Sequence, residues 1–360
     1  MADSDPESAF DMVVIGSGGG PHETNLSGYL LKPHDAEWDA GIIALEAGSG
    51  QGALNKLLQL NLNLFESKDE AARTYSASEV YSFVRAFLIT HAHLDHISSL
   101  VLSAGSLGGE RKRVYALKET LKDLEGVFNW RTWPNLASYA EDDENFKLLY
   151  SPLVPNGKYH PVLPGISVQI VPINHGTNEL GHHISAAFFL RCDSHPSKRE
   201  FLFFGDVEPD SVTAASPKTI NVWRKAAPMI PHALSTIFIE CSWPSDRRDD
   251  MLHGHLSPEH LRDELVALAN EVYFSRSGSN AGSSQRPQRK RQKRNPPSID
   301  QLQGILTGFR VYIIHCKDQS TPQNDVPIKE VILGQVRSLI EEAGLGAEIL
   351  SADQGMYITI

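Results

Sequence analysis

Short apolar runs recur along the chain, each closed by glycine, proline or polar residues. Residues 12–15, 26–31, 41–45 and 84–89 form a first series. Residues 114–116, 168–173, 184–190, 201–204, 236–240 and 310–315 continue it. Runs of this kind predict buried strands. Between them the spacing turns helical: Leu54, Leu57, Leu58, Leu62 and Phe65 predict one helical face over 51–65. Further helices fit 118–125, 258–270, 299–307 and 326–343. Strands and helices mix throughout, with no linker dividing two cores. The expectation is a single α/β domain over residues 10–360, after a flexible segment 1–9.

The run 84–89 leads into Thr90-His91-Ala92-His93-Leu94-Asp95-His96, three imidazoles and a carboxylate in close succession. Such a cluster has no place in an apolar core. A neutral imidazole is a good ligand for Zn²⁺, and a carboxylate tolerates harder divalent ions beside it. Strand alternation puts His91 and His93 on one face. Asp95 and His96 then turn away at the start of a helix and can face a second ion. The spacing suits two adjacent metals rather than one.

His-x-His-x-Asp-His after a hydrophobic strand resembles the signature of the metallo-β-lactamase fold superfamily. The longer string through Ile97-Ser98-Ser99-Leu100 is similar to the class II cyclic-nucleotide phosphodiesterases. This resemblance implies an αββα sandwich, two mixed sheets faced by helices. Three more polar residues follow buried runs: His175 in Asn174-His175-Gly176, Asp206 in Gly205-Asp206, and His315 in Ile314-His315-Cys316. By resemblance, His91, His93 and His175 hold one ion, Asp95, His96 and His315 hold the other, and Asp206 bridges them. The expected cofactor is a pair of divalent ions, Zn²⁺ foremost, sharing a water or hydroxide of lowered pKa. Its attack on a 3′,5′-cyclic phosphate, in line with the O3′ bond, would give a 5′-nucleotide. There is no Gly-x-Ser-x-Gly elbow to supply a protein nucleophile instead.

The same resemblance extends to residues around this core. Glu240 and His255 are similar to a carboxylate–histidine pair in which the histidine is the general acid, and Asp95 joins them in the expected catalytic set. His182 and His183 compete with His175 for the third ligand position, and alternation turns one of them inward, where substrate contact is the other role open to it. Gly18-Gly19-Gly20-Pro21 with Asn25 resembles the family's N-terminal segment, with Asn25 expected at the substrate. Leu45-Glu46-Ala47-Gly48 departs from the family, which usually has Asp there; Glu46 keeps the carboxylate behind the metals. Trp130, Trp133 and Trp243 are candidates for contact with a base.

Composition narrows the alternatives. About 41% hydrophobic and 21% charged residues fit a globular protein with a sizeable core. No apolar stretch is long enough for a membrane span, and the acidic start lacks the features of a secretory signal. Cys192, Cys241 and Cys316 are widely spaced, which favours a reducing compartment, and the expected location is cytoplasmic. The net charge of −11 hides a basic stretch at 275–298 that is poor in apolar residues and predicts a disordered insertion. Its Arg/Lys run fits either a nuclear-import patch or a solvated loop. The acidic remainder argues against nucleic acid as partner; the resemblance implies a small-molecule cyclic nucleotide, with homo-oligomerisation open. Two rival readings remain: an RNA 3′-end endonuclease of the same superfamily and an inactive metal-binding scaffold. The acidic body counts against the first, and the filled ligand positions against the second.

Overall fold

Val84 and Phe87 belong to one apolar cluster while Ala86 and Leu88 belong to another, so the strand that carries them is buried on both sides. The computed structural model describes residues 8–66, 73–179, 181–279, 296–318 and 326–360. Within them the chain builds β1 (Phe10–Gly16), β2 (Gly28–Pro33), β3 (Ile42–Leu45), β4 (Val84–Leu88), β5 (Lys112–Ala116), β6 (Ala137–Ser138) and β7 (Leu148–Pro152). It then builds β8 (His160–Leu163), β9 (Ile166–Asn178), β10 (Gly181–Cys192), β11 (Glu200–Phe204), β12 (Leu234–Glu240), β13 (Arg310–Ile314) and β14 (Glu348–Ser351). Finally β15 (Tyr357–Thr359) returns to pair with β1. One sheet runs β15-β1-β2-β3-β4-β5-β7-β6 and the other β14-β13-β12-β11-β10-β9-β8.

The helices α1 (Gln51–Leu60), α2 (Ala77–Phe83), α3 (Leu94–Ser103) and α4 (Lys118–Val127) supply apolar faces to a core against the first sheet. A second core joins the two sheets, with Tyr29, Phe188, Phe201 and Phe203 in it. The third lies between the second sheet and α5 (Thr219–Ala226), α6 (Pro258–Ser279), α7 (Ile299–Leu302) and α8 (Ile328–Glu342). The expected αββα order of layers is therefore present. Among the described residues, no helix is long and apolar enough to cross a membrane.

Several boundaries differ from the sequence expectation, each for a local reason. The helix expected over 51–65 stops at Leu60, because the Asn61 side chain accepts from the Asn63 amide in a turn of its own. Leu62 is consequently exposed while Phe65 is buried. The helix expected to end at 270 continues through buried Val272 to Ser279, which takes 275–279 out of the predicted insertion. Helix α7 stops at Leu302, and Gly304 follows with φ +64°. Ala9, expected in the flexible start, is buried and bonds the last residue, Ile360. Residues 1–7 and the basic run 280–295 lie outside the described residues.

Topology places the chemistry. Strands β3, β4, β5 and β7 are parallel neighbours, as are β11, β12 and β13, so one edge of the sandwich collects their C-terminal ends. Open α/β sheets present ligand sites at that edge. There the two sheets meet tightly: a Cβ on Gly205 would run into the Thr90 side chain and Ser185 Oγ. We expect Gly205→Ala to lower unfolding stability by about 1–3 kcal/mol in denaturant titrations, since neither neighbour can retreat into space. An unchanged midpoint would show that the sheets can part freely here.

Candidate metal centre

Most residues of the cluster sit at or just past a strand end. Glu46 follows β3, His91 and His93 follow β4, and Asp95 and His96 open α3. Asp206 follows β11, Glu240 ends β12 and His315 follows β13. His175 lies within β9, in the stretch that outruns β8. Glu46 and His315 adopt φ of 57° and 59°, a region that side-chain-bearing residues seldom occupy. At His315 the strand expected to include it ends one residue early, and the turn brings the imidazole among the others.

The ligand atoms form two groups around the Asp206 carboxylate. Oδ2 lies 3.6 Å from His91 Nε2 and 3.5 Å from His175 Nε2, and the latter is 3.3 Å from His93 Nδ1. Oδ1 lies 3.3 Å from His96 Nε2 and 3.4 Å from His315 Nε2. His315 Nε2 is 3.2 Å from Asp95 Oδ2 and 3.1 Å from His96 Nε2. Ligands about 2.0–2.1 Å from a tetrahedral zinc lie about 3.3–3.4 Å from one another. Spacings of 3.1–3.6 Å are thus of the size that a divalent ion held between such side chains requires.

Unsatisfied atoms support the fit. His91 Nε2, His96 Nδ1, Asp206 Oδ2 and His183 Nε2 are buried with no hydrogen-bond partner among the described residues. Buried polar groups are seldom left so, unless something else occupies the space between them. Burial, together with neighbouring imidazoles, holds His91 and His175 well below the usual histidine pKa and brings His93 down to about 4. Neutral imidazoles are the form that binds metal. Burial opposes charge on Asp206 as well, but His315, His96 and His255 outweigh it and keep the carboxyl well below its ordinary range. Burial would lower His96 too, yet the carboxylates of Asp206 and Glu46 raise it well above the usual value. A divalent cation would take the place of that proton.

Around the cluster, hydrogen bonds fix ring orientation. His175 Nδ1 donates to Gly254 O at 2.9 Å, which aims Nε2 at the centre. Glu240 Oε1 accepts from Val207 N at 2.8 Å and from His255 Nδ1 at 2.9 Å. Ser242, given no role by the sequence, links Glu240 to His315: its hydroxyl bonds Glu240 Oε2 and lies 3.0 Å from His315 Nδ1. Glu46 Oε1 accepts from Thr90 N at 3.2 Å, and Oε2 lies 3.6 Å from His96 Nδ1. The Glu46 carboxylate thus stands behind the His96 ring.

The remaining candidates divide. His183 stacks on His93, with ring centroids 4.5 Å apart and planes 5° from parallel. With His91, His93 and His175 it forms a group of four potential ligands. His182 is exposed and pairs with Thr177. The Asn25 carboxamide accepts from Ser17 N, so it shapes the first loop rather than joining the cluster. Trp130 is exposed, Trp133 packs on the first core, and Trp243 stands 6.4 Å from His255 with its indole donating to Leu252 O.

A sequence profile of the class-II cAMP phosphodiesterases matches residues 52–355. A 3′,5′-cyclic-nucleotide phosphodiesterase of Schizosaccharomyces pombe is 34% identical, over 74% of this chain and 77% of that one. The crystal structure of unliganded yeast PDE1 superposes with a TM-score of 0.78 at 25% identity, covering 98% of this chain and all of the other. The metallo-β-lactamase fold protein YhfI of Bacillus subtilis superposes with a TM-score of 0.54 at 14% identity, over 97% of this chain and 99% of its own. The fold is that of the metallo-β-lactamases.

One support of the site titrates in an accessible range. The loop after Asp206 is anchored where Asp210 N donates to Glu264 Oε1 at 3.0 Å, and Trp223 Nε1 donates to Glu264 Oε2 at 2.6 Å. Burial pushes the Glu264 carboxyl up to about 7, against the pull of both donors. The folded protein keeps this proton where the unfolded chain, with a carboxyl near 4.5, has lost it. Stability from this group therefore falls as pH rises from about 4.5 to 7. Glu264→Gln should remove that slope, changing the wild-type-minus-variant unfolding free energy by on the order of 2 kcal/mol between pH 5 and 8. Parallel pH profiles for the two proteins would contradict it.

Proposed function

The chain belongs to the class-II cyclic-nucleotide phosphodiesterases, and we propose that the cluster around Asp206 is where it opens the ring of a 3′,5′-cyclic nucleotide, cAMP, cGMP or both. The observation that carries this is the single buried carboxylate whose two oxygens face two separate groups of imidazoles. His91, His93 and His175 would hold one ion and Asp95, His96 and His315 the other, with Asp206 shared. The donor set, rich in imidazole and with two carboxylates, suits a pair of Zn²⁺. When bound, such ions acidify water and neutralise charge on phosphoryl oxygens.

The protein's own groups supply positioning and the proton. Glu240 holds His255 Nδ1 and, through Val207 N, the residue after Asp206, so acid and cluster share one anchor. With Nδ1 engaged, His255 Nε2 carries the transferable proton. Water attacks phosphorus and gives up one proton to solvent, the P–O3′ bond breaks, and O3′ takes a proton from Nε2; this leaves a 5′-nucleotide with a free 3′-hydroxyl and a neutral imidazole that regains its proton from solvent. His183, inward where His182 is exposed, is placed to donate to a phosphoryl oxygen. Asn25 contributes by fixing the loop of Ser17 to Gly20 against Cys316.

The test is metal analysis and turnover on one preparation. Wild type should carry about two equivalents of transition metal and hydrolyse cAMP or cGMP, and chelation should abolish turnover. Asp206→Ala should lose metal and nearly all activity. His255→Ala should retain metal and lose rate by about 10²–10⁴-fold. Wild-type turnover in His255→Ala would remove it from the reaction.

A further inference from the structure

Ser242 is fully buried where three stretches of chain meet: its amide donates to Leu256 O at 3.1 Å, and its carbonyl accepts from Lys317 N at 3.1 Å. Its hydroxyl oxygen stands 2.5 Å from Glu240 Oε2 and 3.0 Å from His315 Nδ1. His315 O lies 2.8 Å from the same oxygen. A hydroxyl has one proton to give. A hydrogen bond to an ionised oxygen is about twice as strong as one to a neutral carbonyl, so the proton goes to Glu240. The lone pairs of Ser242 Oγ then face His315 Nδ1, which must donate to them.

A proton on Nδ1 leaves the lone pair of His315 on Nε2. That atom lies 3.2 Å from Asp95 Oδ2 and 3.4 Å from Asp206 Oδ1. A lone pair aimed at two carboxylates is repulsive unless a cation stands between them. The glycine loop closes over the other flank of the ring, where a Cβ on Gly19 would fall 2.7 Å from Nδ1. The rings of His255 and His315 stack, with centroids 5.2 Å apart and planes 26° from parallel. Both are held at Nδ1 by the same carboxylate, His255 by Glu240 Oε1 at 2.9 Å and His315 through the hydroxyl on Oε2.

We infer that Ser242 is a positioning residue that fixes the tautomer of His315, accepting from Nδ1 and donating to Glu240. The inference rests on the metal-centre reading above and extends it to a residue outside the ligand and acid sets. Through this hydroxyl one carboxylate governs a metal ligand as well as the proton donor. A ligand imidazole backed in this way is held in one orientation and made more basic at Nε2. Because Glu240 grips both rings, the donor nitrogen of His255 keeps a set distance from the ion that His315 holds.

The test reads zinc affinity and one ring proton in the zinc-loaded protein, comparing wild type, Ser242→Ala and Ser242→Thr. In competition with a chelator, Ser242→Ala should hold one of the two ions about 10–100-fold more weakly and the other as wild type does. Ser242→Thr keeps the hydroxyl and should hold both as wild type does. With isotope-labelled histidine, nuclear magnetic resonance should show a protected His315 Nδ1 proton in wild type, shifted in Ser242→Ala. If the threonine methyl prevents folding, Glu240→Gln takes its place: Ser242→Ala should then add little to the loss that Glu240→Gln causes alone. Additive losses, equal weakening of both ions, or unchanged affinity in Ser242→Ala each overturns the assignment. So does wild type without a proton on His315 Nδ1, before any variant is made. Wild type that binds no zinc would instead sink the metal-centre reading itself.

Discussion

A single carboxylate, 2% exposed and surrounded by imidazoles, is the constraint on which the rest of the structure turns. An ion buried this deeply is tolerated only when opposite charge and hydrogen bonds surround it. Asp206, at the end of β11, therefore requires β4, α3, β9 and β13 to deliver their histidines to one point. That requirement in turn explains the layers. Two sheets packed face to face bring the ends of strands far apart in sequence within reach of each other, and the helices outside bury the faces left over.

Delivery to one point costs backbone freedom at particular residues. Glu46, His253 and His315 all take positive φ, a strained choice for residues with side chains, and all three lie beside or within the site region. Gly205 and Gly48 do the complementary thing, removing a Cβ where Thr90 and the Asp95 carbonyl approach. A close meeting of two sheets leaves no room for adjustment at the strand ends. Distances among the ligands are thus set by the sandwich core, whose aromatic side chains Tyr29, Phe203 and Phe238 interlock between the sheets.

Much of this was legible in the sequence because imidazoles and carboxylates are chemically conspicuous after apolar strands. His175, Asp206 and His315 stand out for that reason, and the αββα layering follows the apolar runs. What the sequence hid has physical causes too. The strands β6, β8, β14 and β15 are short and lie at sheet edges, so they lack long unbroken apolar runs. Ser242 is one hydroxyl among many until Glu240 and His315 are seen on either side of it. His182 and His183 are equivalent in pattern, and only the register shift between His182 and Ile184 decides which ring stacks on His93. Asn25 is ambiguous in the sequence because an amide beside a glycine loop reads equally as a ligand contact or a turn support, and the structure shows it accepting from Ser17 N.

The same connections that fix these side chains also tie the cluster to the elements around it. Asn174 ties β9 to the loop entering α5, and its neighbour His175 leans on Gly254, one residue before the acid His255. Gly254 itself can approach only because it has no side chain: a Cβ there would fall about 2.9 Å from the His175 backbone. A shift of the loop entering α5 is therefore carried through Asn174 to His175 and through one carbonyl to the turn that holds His255. Hydrogen bonds this short leave the two imidazoles little freedom to move independently, so the geometry around Asp206 is set as much by these outer contacts as by the strands themselves.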